Sequence, residues 1–65
     1  MFNDALSSVK ELIDSFDFGN AEEILKMLKD YPLSKEQLDI HTTIYKMVRN
    51  VDRDAVLAWF SENRP

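Results

Sequence analysis

Up to Phe16, the apolar residues fall at Phe2, Ala5, Leu6, Val9, Leu12, Ile13 and Phe16. Steps of three and four put them on one stripe of a helix. Asp4, Lys10, Glu11 and Asp14 fall off the stripe. The pattern predicts a first helix over about Asn3–Phe16, with Asn3 or Asp4 as its cap. Phe18, Ala21, Ile24, Leu25 and Leu28 form a second stripe with Met27 at its edge. It predicts a helix capped by Asp17 and running to about Asp30. Gly19 and Asn20 then fall in its first turn, where poor helix formers cost least. Glu22 and Glu23 suit the positive end of the helix dipole. Tyr31-Pro32-Leu33 is the break, because a proline disfavours helical geometry in the residue before it.

Ser34 followed by Gln37 matches a capping box, and Leu33 with Leu38 matches a hydrophobic staple. The third helix is predicted from there to about Asn50. Its apolar arc is wide: Leu38, Ile40, His41, Ile44, Tyr45, Met47, Val48 and Val51. So wide an arc predicts contact with two neighbours, or with one neighbour and a partner. Asp52 should cap a last helix over about Arg53–Glu62, with Val51 and Val56 as a second staple. Ala55, Val56, Trp59 and Phe60 should face inward, Leu57 should lie off that face, and the tail Asn63-Arg64-Pro65 should fray. Very short joints at Asp17 and at Val51–Asp52 favour antiparallel neighbours. The expected fold is all-α: one domain over residues 1–65, made of two antiparallel helical hairpins.

The stretch SFDFGNAEEIL (Ser15–Leu25) has a weaker echo in NVDRDAVLAWF (Asn50–Phe60). Each reads apolar, Asp, then apolar at four, seven and eight residues after the Asp. A shared helix-joint signal explains this, and so does duplication of a helix pair. The spacing is near that of tetratricopeptide repeats, but their Trp, Gly-Tyr and Pro landmarks are missing. Exposed positions such as Glu22 against Leu57 do not recur. What repeats is the part that folds a tight joint, so a binding site is expected elsewhere.

Composition narrows the function. At 65 residues with no cysteine and a single histidine, the chain has neither a disulfide nor a thiolate or His-based zinc site to staple it. A domain this small buries roughly 60% of its unfolded surface, so packing or a partner must hold it. The net charge is −4 and no stretch concentrates Lys or Arg, which disfavours nucleic acid and anionic membrane surfaces. No apolar run approaches the ~20 residues of a membrane span, and the N-terminus does not read as a signal peptide. No nucleic-acid partner, no membrane insertion and a cytoplasmic setting are expected.

Candidate chemistry reduces to His41. A phosphotransfer histidine on a helical bundle needs an exposed ring nitrogen and usually a nearby cation for the phosphoryl oxygens. The helical neighbours of His41 are instead Ile44 and Tyr45, with Lys46 five residues away. The alternative is a histidine at the rim of the core, held by one hydrogen bond. Asp14, Asp17, Asp52 and Asp54 read as caps and outer-face charges. No phosphate loop, catalytic triad or calcium loop is present in the sequence, and no enzyme activity or cofactor is expected. Phe2, Phe16, Phe18, Trp59 and Phe60 read as core. The apolar surface is large for so short a chain, and Met27, Tyr31, Ile40, Met47 and Leu57 are the candidates for a partner-binding strip.

Phe16-Asp17-Phe18 with Ala21, then Tyr31-Pro32, then Val51-Asp52 resembles the helical C-terminal regions of some bacterial hybrid sensor kinases and response regulators. The resemblance covers about Leu12–Phe60. It implies an accessory, histidine-phosphotransfer-like domain. Where such domains keep a phosphoacceptor, the pattern reads His, then Lys three residues on and Gly after that. Here His41 is followed by Ile44 and Tyr45. The expected function is a non-catalytic protein-interaction module in two-component signalling, binding a protein partner or a second copy. The alternatives are phosphotransfer through His41 and a small free regulator such as an inhibitor or immunity protein.

Overall fold

The structure, a computed structural model, describes residues 1–63. It contains four helices: α1 Phe2–Asp14, α2 Phe18–Leu28, α3 Lys35–Arg49 and α4 Arg53–Glu62. Among the described residues there is no strand. The main packing contacts close a ring, in which α1 meets α2 and α4 while α3 also meets α2 and α4. The fold is the all-α, four-helix domain that the stripes predict.

Each stripe supplies the core at helical spacing. Leu6, Val9 and Ile13 come from α1, and Ala21, Leu25 and Leu28 from α2. Ile44 and Val48, with His41, come from α3, and Val56 and Phe60 from α4. Full burial of each large aliphatic side chain contributes about 1.5–3 kcal/mol before chain entropy opposes it.

Both joints are Schellman turns followed at once by a new cap. After α1, the Phe16 N–H donates to the Ile13 carbonyl at 3.0 Å and the Asp17 N–H to Leu12 at 2.7 Å. After α3, the Val51 N–H donates to Val48 at 3.0 Å and the Asp52 N–H to Met47 at 3.1 Å. Asp17 then accepts from the Asn20 N–H at 3.3 Å, and Asp52 from the Ala55 N–H at 3.1 Å. The third start is the capping box read from sequence. The Gln37 N–H donates to Ser34 Oγ at 3.1 Å, and the Ser34 N–H to Gln37 Oε1 at 3.0 Å.

The structure corrects several expectations. α1 starts with its stripe at Phe2, so Met1 is its N-cap and has no side-chain cap bond. Asp4 falls in the first turn, 4.0 Å from the terminal ammonium. Phe16 is not core: it takes φ 63° in the turn, leaves the helix and is 68% exposed. Leu38 and Val51, expected as halves of staples, are exposed as well. α2 stops earlier than Asp30 because the Lys29, Asp30 and Tyr31 N–H groups donate three residues back, a tightened last turn. Leu57, expected off the inner face, packs half-buried against the core. Asn63 is fastened rather than frayed, its N–H and Nδ2 both reaching the Trp59 carbonyl at 2.9 Å. The expected fraying of Arg64 and Pro65 lies outside the described residues.

Candidate functional site

His41 lies inside the bundle at 1% exposure. Its Nε2 is 2.6 Å from the carbonyl oxygen of Leu25 on α2. That carbonyl needs a donor from elsewhere, because the Lys29 N–H turns instead to Lys26. With Nε2 carrying the proton, His41 donates across the α2–α3 seam and caps the tightened end of α2. Nδ1 is then the lone-pair nitrogen, and it is buried with no hydrogen-bond partner. A phosphoacceptor needs a nitrogen that a receiver aspartate can reach. In this fold, neither ring nitrogen faces solvent with its lone pair free, and phosphotransfer would require His41 to leave the core.

Outside His41, the α2–α3 seam is a polar face in which three cations meet one carboxylate. The His41 ring stacks on Tyr45, with centroids 5.8 Å apart. Lys29 Nζ and the Arg49 guanidinium lie 5.3 and 5.8 Å from the Tyr45 ring centre. Arg49 Nη1 donates to the Tyr45 hydroxyl at 3.4 Å and is 3.8 Å from Glu22, which is also 3.9 Å from Lys26. The Tyr45 hydroxyl, and then Glu22, raise the Arg49 pKa above its ordinary value. Glu22 meets both Lys26 and Arg49, and with Lys29 these four groups keep a net +2.

The five residues expected to form a partner-binding strip separate. Met27 and Tyr31 are 51% and 41% exposed. They stand four residues apart at the end of α2, and Met27 borders a shallow depression with Glu23, Ile24, Lys26 and Asp30. Ile40 is half-buried and lines a different depression of about 630 Å³, with Phe2, Leu6, Trp59 and Phe60 as apolar wall and Lys10 and Glu36 at its rim. Met47 and Leu57 are half-buried and pack on the core.

Two exposed residues escaped the sequence reading. Phe16 and Val51 are 68% and 63% exposed, and both have positive φ. The spacing puts Phe16 on the α1 stripe and Val51 in a staple. The signal was the length of the joints. A Schellman turn directly before an Asp cap leaves one residue for the left-handed position, and neither joint has glycine there. Among the described residues, no group of three His, Cys, Asp or Glu could hold a metal ion, and no helix is long and apolar enough to cross a membrane. No family model, curated protein or solved structure matches the chain.

Proposed function

We propose that this chain is a non-catalytic protein-interaction module, working in the cytoplasm of a bacterial cell within two-component signalling, as its sequence resemblance suggests. The observation that carries the interaction reading is the pair Met27 and Tyr31, exposed together where α2 ends. The core already contains large buried side chains from every helix, and this pair is largely left out of it. An adaptable Met beside an amphipathic Tyr suits a protein contact. The inward-facing nitrogens of His41 support a role without phosphotransfer.

The test is cross-linking of the tagged chain in bacterial cells, with partners identified by mass spectrometry, for the wild type and for Met27→Glu with Tyr31→Ser. These positions are exposed, so both proteins should melt alike. Recovery of the partner should fall by about tenfold or more, as for loss of a contact hot spot. Equal recovery from the two proteins would remove this edge as the binding surface. Sedimentation over a wide concentration range separates a second copy from a foreign partner.

A further inference from the structure

Left-handed backbone is costly for any residue with a Cβ, and more so for a β-branched one. Val51 adopts it at φ 54° and Phe16 at φ 63°. Glycine would relieve the strain in both turns. Burial does not compensate for it, since both side chains are mostly in solvent. Strained backbone carrying exposed apolar groups is a cost to folding that points towards function.

The two positions belong to one end of the bundle. Arg53, the first residue of α4, donates from Nη2 to Asp14 Oδ1 at 2.8 Å and to the Asp14 carbonyl at 3.2 Å. Its guanidinium carbon is 4.5 Å from the centre of the Phe16 ring. One arginine thus holds the end of α1, the first joint and the start of α4 together, directly beside Val51 and Asp52 in the chain. The same end is acidic. Asp14, Asp17, Asp52 and Asp54 stand against Arg53 and against Arg49 at the end of α3, a net −2. Arg49 turns to Glu22 at 3.8 Å. Arg53 pairs with Asp14, and among the described residues Asp17, Asp52 and Asp54 have no ion-pair partner.

We propose that this end is a docking tip for a basic amphipathic helix of a partner protein, whose apolar face covers Phe16 and Val51 while its Lys and Arg residues meet Asp17, Asp52 and Asp54. The occupant follows from the charge: apolar anchors ringed by carboxylates match a helix with one apolar and one cationic face. The tip stands before the start of α2, whereas the Met27–Tyr31 edge lies at the end of that helix, and each can fail without the other.

The test uses a synthetic helical peptide with leucine on one face and lysine on the other, and a control with glutamate in place of lysine. Amide shifts of the full chain are followed by NMR. The lysine peptide should move the signals of residues 15–17 and 50–54, and added salt should weaken it. The glutamate peptide should leave them still. Phe16→Gly with Val51→Gly should lower the affinity by about tenfold or more, and Val51→Gly should raise the urea midpoint. A urea midpoint of the double variant at or above that of the wild type separates loss of binding from loss of fold. Shifts centred on Trp59 or on Met27 and Tyr31, equal response to the glutamate peptide, unchanged affinity in the double variant, or no binding at all would each overturn the proposal. Concentration-dependent shifts at the tip without peptide would assign it to a second copy and overturn it equally.

Discussion

Val9 in α1 and Ile44 in α3 are both wholly buried, and they stand 35 residues apart. The same step pairs Ile13 with Val48, Ala21 with Val56, and Leu25 with Phe60, all buried. It pairs Ala5 with Ile40, Leu12 with Met47 and Ile24 with Trp59, all half-buried. The α1–α2 hairpin and the α3–α4 hairpin therefore share one burial pattern along nearly their whole length. A joint signal explains the match around Asp17 and Asp52, but it does not reach back to Val9 and Ile44. The repeating unit is a hairpin. Its two versions share only two identities at this step, Asp4 with Asp39 and Asp17 with Asp52. Apolar placement and a capped left-handed turn are enough to build the same hairpin twice from otherwise different residues.

The likeness breaks at two buried places of the first hairpin: Leu28 corresponds to the exposed Asn63 at the end of α4, and the other break lies inside the core. Leu6 in the first hairpin corresponds to His41 in the second. His41 answers a local need, since the tightened end of α2 turns the Lys29 N–H away from the Leu25 carbonyl. The histidine is thus a joining piece between the hairpins, placed where α3 passes the end of α2.

The strongest challenge to the equivalence of the hairpins is to empty both cores at matched positions. Leu25→Ala should cost about 2–5 kcal/mol and Phe60→Ala about 3–5 kcal/mol. Domains of this size have little to spare, so urea titration should find both variants largely unfolded. If either loses less than about 1 kcal/mol, the two hairpins do not share one core.

A smaller effect tests the exception. His41→Leu gives the second hairpin the residue of the first and leaves the buried Leu25 carbonyl without a donor. The expected loss is about 1–3 kcal/mol, read from the urea midpoint. A variant as stable as the wild type would mean that the fold does not need this histidine.

Most of this architecture was legible in the sequence because caps and stripes are local signals. Ser34 and Gln37, Asp17 and Asp52 all act as their spacing implies. Two things were not local. The partner of His41 is sixteen residues away on another helix, and it is free only because a turn tightens by one residue. The Asp14–Arg53 tie spans the chain from the end of α1 to the start of α4, and no periodicity reports it. Phe16 was misplaced for a further reason: an apolar residue at the correct step of a stripe looks buried until the backbone turns left-handed beneath it. The candidate strip fared worse than the fold. Exposure of Met27 against Met47 depends on which neighbour each helix meets, and single-helix patterns do not contain that.

The smallest expected effect has opposite signs in the two hairpins. Gly19 and Asp54 are corresponding residues, each second in its helix after an Asp cap. A Cβ added at Gly19 would meet nothing within 4 Å, and its φ is not positive. Gly19→Ala should therefore stabilise the chain by about 0.5–1 kcal/mol, mainly by restricting the unfolded state. Asp54→Ala removes a carboxylate from the positive end of α4 and should destabilise by about 0.3–1 kcal/mol. Thermal melts at low salt should show the two shifts in opposite directions, and salt should shrink only the second. If Gly19→Ala destabilises, the turn before α2 needs a freedom at Gly19 that its counterpart at Asp54 does without, and the two joints are alike in hydrogen bonding alone.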